Sequence, residues 1–449
     1  MAYDVLRAVT QRDAYANLLL PRLLTERGVR GRDAALATEL TYGTLRNQGS
    51  YDAILDTCVD RSLSSVDADV LPLLRLGAHQ LLATSIPAHI AVSATVNVAR
   101  RAVGQHRARF ANAVLRKVSA RDMQAWLAVL APDEEGDPVN RLALRHSHPA
   151  WIVAALADAL GEDPTGELDE TRRLLAAHNE RPRVALVAKP GRGTVADLVA
   201  AGAQPGHYSP YGAYLADGGD PSEFSAVRQG SAMVQDEASQ MVAVVLSRVP
   251  LPGAERVWLD TCAGPGGKAA LLAGLAGQGS VRLVANEIRT ARAGLVAGAV
   301  RNSIHDAARV VVGDARAPAW LGGAFDRVLV DAPCTGLGAL RRRPEARWRR
   351  SPQVLDELVP LQRQLLDRAL DSVRPGGVVA YVTCSPHRAE TSEVVAAVTG
   401  TREDTECLRA ADYVPEVADI VAGAEGEFVQ FWPHRHGTDA LFLALLRRV

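Results

Sequence analysis

No stretch of this 449-residue chain is long and apolar enough to read as a membrane span, and its opening, MAYDVLRAVT, spreads charges where a secretory signal would carry an apolar core. Both absences point to a cytoplasmic protein with no membrane partner. Charge of one sign is missing too: 50 Lys and Arg stand against 51 Asp and Glu, a formal net charge of -1. A generic nucleic-acid coat would carry a large positive excess, so any nucleic-acid contact here has to come from local basic patches. Cysteine is scarce. Cys58, Cys262, Cys334, Cys384 and Cys407 are scattered without CxxC spacing, which argues against a disulfide framework and fits a reducing compartment with thiols free to react. Internal repeats, low-complexity tracts and coiled-coil heptads are likewise absent.

What is present is ample core material: 48% of the residues are apolar and 22% charged. A chain of this length exceeds what one core supports, so two or three domains are expected. Residues 1–130 read as helical throughout. Leu71, Leu74, Ala78 and Leu81 share one face, as do Val92, Val96, Ala99 and Val103, and then Phe110, Val114 and Val118. This pattern predicts a bundle of five or more short helices. Arg100, Arg101, Arg107, Arg109, Arg116 and Lys117 cluster there, either as a solvated helix face or as a contact for an RNA backbone. Residues 131–149, opening with APDEEGDP, read as a linker, and residues 150–232 as a small α+β connecting and RNA-binding part with a strand near Arg183 to Lys189. From Arg256 strands and helices alternate, the signature of a parallel sheet covered on both faces, with the last two strands, around EFVQFWP and ALFLALLRR, expected to pair antiparallel.

Five constellations carry the chemistry. VLVDAPCTG, Val328 to Gly336, delivers Asp331 and Cys334 to the carboxyl end of a strand, the edge at which open α/β sheets bind ligands. Turn chemistry alone would also explain Asp before Ala-Pro. In LDTCAGPGGKAALL a strand ends at Asp260 and a Gly-rich loop leads into a helix near Lys268; there is no GK[ST] and no GxGxxG, so nucleotide phosphates are not the obvious ligand. Glu287, Asp314 and Asp331 follow successive strands. A carboxylate after the second strand suits ribose hydroxyls and the next suits an adenine amine, which suggests an adenosine-bearing cofactor without a pyrophosphate.

Cys384, in YVTCSP, reaches the same edge as Cys334. The pair could form a disulfide, bind a metal or share covalent catalysis. A cytoplasmic protein disfavours the first, and the pairs His146/His148 and His434/His436, distant in sequence and expected in loops, leave a metal short of ligands. Nucleophilic catalysis is the leading reading, with no metal. The fifth constellation, RRRPEARWRR, carries six arginines. Arg341, Arg342, Arg343 and Arg347 offer forks for phosphates and Trp348 a stacking face for a base, unless the stretch is only a solvated loop.

Together these residues resemble the RNA cytosine-C5 methyltransferases of the NOL1/NOP2/Sun family, from about Gln235 to the C-terminus. LDTCAGPGGK looks like the family's cofactor loop, DAPCTG its aspartate and first cysteine, TCS its nucleophile motif, and MVQDEASQ the segment preceding the cofactor loop. RFANAVLRKV, Arg109 to Val118, is similar to a NusB-type helical RNA-binding domain, and that domain in front of such a catalytic half is the architecture of the RsmB (Sun/Fmu) group acting on small-subunit ribosomal RNA.

The resemblance implies an α/β Rossmann-like fold with a mostly parallel seven-stranded sheet over residues 233–449, preceded by an all-α NusB-like domain. It implies S-adenosyl-L-methionine as cofactor, bound by Cys262, Ala263, Gly264, Pro265, Gly266, Gly267, Lys268, Glu287, Asp314 and Asp331. It further implies Cys384 as nucleophile, Cys334 in product release and Asp331 against the base, with ribosomal RNA of the small subunit as partner of a monomeric enzyme. SPHRAET, after Cys384, departs from the family's commoner continuations. A catalytically inactive RNA-bound assembly or antitermination adaptor, and a transfer-RNA enzyme of the same chemistry, are the competing readings.

Overall fold

A computed structural model describes residues 1–131, 137–216, 220–301 and 303–449, so most of the expected linker APDEEGDP lies outside the described residues. The chain divides into two compact units. Residues 1–181 form the first together with residues 340–351, and residues 182–339 and 352–449 form the second. The boundaries differ from the sequence reading in three places. The helix Pro138–Arg145 occupies much of the expected linker, the helices Ala150–Leu160 and Asp169–Asn179 belong with the helical unit, and the arginine-rich stretch returns to that unit.

Eight α-helices fall between residues 2 and 130, and their periodicity explains the packing. The helix Leu71–Ala83 is apolar on most of its circumference and buries Leu73, Leu74, Leu76 and Ala78, as an inner helix must. Around it, Ala99 of Ala88–Val103 and Ala111, Val114, Leu115 and Val118 of Gln105–Val118 turn inward. Arg75, on the inner helix, is held by Asp52 through two hydrogen bonds of 2.7 Å, the fork geometry that makes a largely buried guanidinium tolerable.

The second unit opens with a four-stranded antiparallel sheet of β1 (Ala185–Ala188), β2 (Ala203–Pro205), β3 (Gly212–Leu215) and β4 (Ala232–Val234), in the order β2-β3-β1-β4. Asp236 then caps the helix Glu237–Arg248. The large sheet comprises β5 (Val257–Asp260), β6 (Arg282–Glu287), β7 (Ala308–Val312), β8 (Phe325–Asp331), β9 (Val373–Thr383), β10 (Thr405–Leu408), β11 (Val421–Ala422), β12 (Phe428–Phe431) and β13 (Leu441–Arg448). Their order is β11-β12-β13-β9-β8-β5-β6-β7, with β10 paired to β13.

Five neighbours, from β7 across to β9, run parallel, while β13 and β12 pair antiparallel as expected. Two short strands, β10 and β11, extend the expected seven to nine. One face is covered by the helices Glu237–Arg248, Gly267–Gln278 and Thr290–Val300, the other by Leu355–Ser372 and Ser392–Thr399. This double burial is why β8 and β9 read as continuous apolar runs. The strands' carboxyl ends therefore emerge together at one edge.

Candidate active site

Local sequence places each group on that edge. β8 ends at Asp331, in register with Val382 of β9, so the two following loops leave the sheet side by side. They bring the Cys334 and Cys384 sulfurs to 3.3 Å. Both cysteines are partly exposed as residues, while Thr335, Ser385 and Thr383 around them are buried. Gly338 closes the arrangement. Its N–H donates to the Cys384 carbonyl at 2.8 Å and its carbonyl accepts from Ala440 N at 2.9 Å. A Cβ there would stand 2.0 Å from the Ala440 oxygen, so only glycine lets the two backbones approach.

Lys268 comes from the next strand over. β5 ends at Asp260, and the loop turns at Gly266, whose φ of +113° favours glycine, into the helix Gly267–Gln278. Lys268, in the first turn, donates to Asp331 Oδ2 at 2.9 Å. Burial works against its charge, but the Asp331 carboxylate, its hydrogen bond and the nearby Cys384 and Asp260 outweigh that and hold the ammonium above its ordinary range. Cys334 is pushed well above the usual thiol range by its hydrogen bond with Cys384 and by burial.

Sequence reasoning missed several groups. Asp260 is fully buried; its Oδ1 accepts from Cys262 N at 3.3 Å and its Oδ2 has no partner. Burial, and then the Asp331 charge, push its carboxyl up to about 8. The strand-end rule that singled out Glu287 and Asp331 applies equally to Asp260 and would have found it. Asn286 clips the loop that follows β5 to the turn after β7, donating to Thr261 O and Gly313 O at 2.9 and 3.0 Å. No local signal marked Glu390, which accepts from Thr335 and Gln362 beneath the cysteines.

The loop from Cys262 to Lys268 fits a small cationic cofactor. The helix start lacks a side-chain cap, so its free N–H groups suit a carboxylate. Glu287, accepting from Gly264 N at 3.1 Å and Arg289 N at 2.9 Å, retains lone pairs for hydroxyls. Cys262, whose thiol burial pushes up to about 12, lies in the same loop as an uncharged neighbour. Asp314 sits two residues beyond β7 with its carboxylate gripped by Arg316 and held below the usual range.

The arginine stretch belongs to the helical unit. Arg347 is fully buried in the helical unit and donates to the carbonyls of Arg46, Ser147 and His178 and to Asn179 Oδ1, at 2.8 to 3.1 Å. Burial, then the charge of Arg46, push its guanidinium down to about 9. Its assignment to RNA is thereby corrected, because each of those bonds is spent inside the protein. Arg341 is buried as well, and Trp348 lays its ring against Gly49 while keeping one edge exposed. Arg343 stays on the surface. His434 and His436, expected in a loop, sit on the short helix Pro433–His436, where His436 Nδ1 accepts from Trp432 N at 2.8 Å.

A Rossmann-like sheet with this Gly-rich loop and acidic strand ends, preceded by a NusB-like helical unit, defines an S-adenosylmethionine-dependent methyltransferase. The family profile of the 16S rRNA methyltransferase RsmB/F matches residues 249–447 and that of the NusB family residues 1–120. A Mycobacterium tuberculosis protein that carries a methyltransferase name is 51% identical over 450 residues, covering 100% of this chain and 96% of its own length. Ribosomal RNA small subunit methyltransferase B of Pseudomonas putida is 33% identical over 408 residues, covering 88% and 87%. Among solved structures, that of PH0851 superposes with a TM-score of 0.80 at 21% identity, covering 100% and 98%, a likeness of fold. The chain belongs to the RsmB/F family of ribosomal RNA methyltransferases.

Proposed function

We propose that this enzyme methylates carbon 5 of a cytidine in small-subunit ribosomal RNA through a transient bond between Cys384 and carbon 6 of the base. The observation that carries the reading is the 3.3 Å contact between the Cys334 and Cys384 sulfurs near the Lys268–Asp331 ion pair, on one rim of the sheet. Carbon 5 of cytosine is a weak nucleophile. Addition of the Cys384 thiolate at carbon 6 turns the ring into an enamine, which splits one hard step into two easier ones. The base has to leave its stack to be reached, which suits a site open along one rim.

Each residue then has a task. Lys268 places positive charge near the Cys384 sulfur and favours its anion; Coulomb attraction acts on both partners of the pair. Asp331, ion-paired at one oxygen, has its other oxygen to accept from the cytosine amino group. Cys262 to Lys268 and Glu287 hold S-adenosylmethionine, with Asp314 at the adenine, and the cofactor supplies the methyl group that carbon 5 takes. Cys334, kept as a thiol by Cys384 and burial, serves the last stage: carbon 5 gives its proton to solvent, that bonding pair re-forms the ring double bond, the Cys384–carbon 6 bond returns its pair to sulfur, and the Cys334 S–H hydrogen-bonds the departing thiolate. RNA is held through exposed basic groups such as Arg343 and the Arg100 to Lys117 region.

Cys384→Ala is expected to abolish transfer of labelled methyl to ribosomal RNA; substantial turnover in that variant removes Cys384 as nucleophile.

A further inference from the structure

The SPHRAET turn after Cys384 holds a carboxylate that the steps above leave without a task. Glu390 ends the short helix Arg388–Glu390 and is fully buried. Its Oε1 accepts from Thr335 N at 2.8 Å and from Gln362 Nε2 at 3.0 Å, and its Oε2 accepts from the Thr335 hydroxyl. A buried charge persists only when bonded in this way. Thr335 follows Cys334. Its oxygen also lies 3.0 Å from that of Ser385, which follows Cys384. With the Thr335 proton committed to the carboxylate, Ser385 has to donate to Thr335, and Ser385 Oγ accepts in turn from His387 N at 3.3 Å. Gln362 extends the clasp to the Pro333 carbonyl at 2.8 Å, and the Tyr381 hydroxyl anchors the Glu390 carbonyl at 2.8 Å.

We propose that Glu390 is a positioning residue: its buried carboxylate sets the direction of a hydrogen-bond chain that locks the Cys334 and Cys384 loops in register. The inference rests on the two-cysteine reading above and extends it to a residue that touches neither substrate nor cofactor. A carboxylate only accepts. An amide at this place would turn hydrogens either on Thr335 N–H and Gln362 or on the Thr335 hydroxyl, reversing the chain toward Ser385. The negative charge also adds, after Cys384 and burial, to the forces that keep Cys334 protonated.

Glu390→Gln is nearly isosteric and is compared with the wild-type full chain in single-turnover methylation of ribosomal RNA. The expected result is a kcat lower by about 10- to 100-fold, as sub-ångström misplacement of reacting groups produces. The KM for RNA and the calorimetric Kd for S-adenosylmethionine stay within about twofold, as for loss of an interaction that matters only in the reaction step. The kcat–pH profile moves to lower pH, because a negative neighbour of Cys334 is gone. Wild-type kcat with an unmoved profile overturns the proposal.

Should Glu390→Gln melt early, Thr335→Val against Thr335→Ser decides. Serine keeps the hydroxyl and is expected to restore most of the rate that valine loses, and equal rates overturn the proposal. Cys334→Ala runs in parallel. If it traps no RNA adduct, the two-cysteine reading fails and this inference with it. If it traps adduct while Glu390→Gln turns over normally, only the positioning role fails.

Discussion

Asp260 is a buried acid whose partners do not satisfy it, and that has a cost with a definite sign. Its folded-state value of about 8 lies above the ordinary value of about 3.9. Between those values the folded chain keeps a proton that the unfolded chain releases, so this group's contribution makes stability fall as pH rises from about 4 towards 8. Replacing it by asparagine removes the titration. Thermal melting of the wild type and Asp260→Asn from pH 5 to 8 is expected to show the gap between them changing in favour of the variant as pH rises, whereas parallel curves would remove Asp260 as a buried titrating acid.

Strands β8 and β9 and the turns beyond them were legible because burial on both faces writes itself as unbroken apolar runs, VLV and VVAYV, that end in turn residues. The register of the two turns was not legible. It depends on Gly338, a residue that looks like any loop glycine in sequence and is pinned in space between the carbonyls of Ala440 and Cys384. Gly338→Ala is expected to destabilise by about 1–3 kcal/mol through overpacking and to lower turnover with it. Calorimetric melting checks the first, and an unshifted melting point would mean the turn has room. Glu390 was hidden for a similar reason: it lies 55 residues from the threonine it holds, and nothing in SPHRAET signals a buried acid.

Chain-wide, the split into a helical part and an α/β part followed from periodicity, a 3.6-residue repeat giving way to strands alternating with helices. The fate of RRRPEARWRR did not follow, since six arginines in sequence read as surface and only folding shows that Arg347 is enclosed by carbonyls from three distant segments of the helical unit. Arg347→Ala is expected to destabilise that unit by about 3 kcal/mol, leaving acceptors unpaired around a cavity, while Arg343→Ala changes stability by no more than about 0.5 kcal/mol. Chemical denaturation of both variants checks this, and similar midpoints for the two would contradict it.

The two units, each with its own core, serve one proposed event: a sulfur adding to a pyrimidine on the rim where β8 and β9 end. The most direct measurement incubates Cys334→Ala with small-subunit ribosomal RNA and S-adenosylmethionine, then separates the mixture under denaturing conditions and weighs the products. The expected result is a protein–RNA species linked through Cys384 that disappears when Cys384→Ala is added to the same chain. Recovery of only free protein and free RNA, with methylated cytosine still formed, would contradict it.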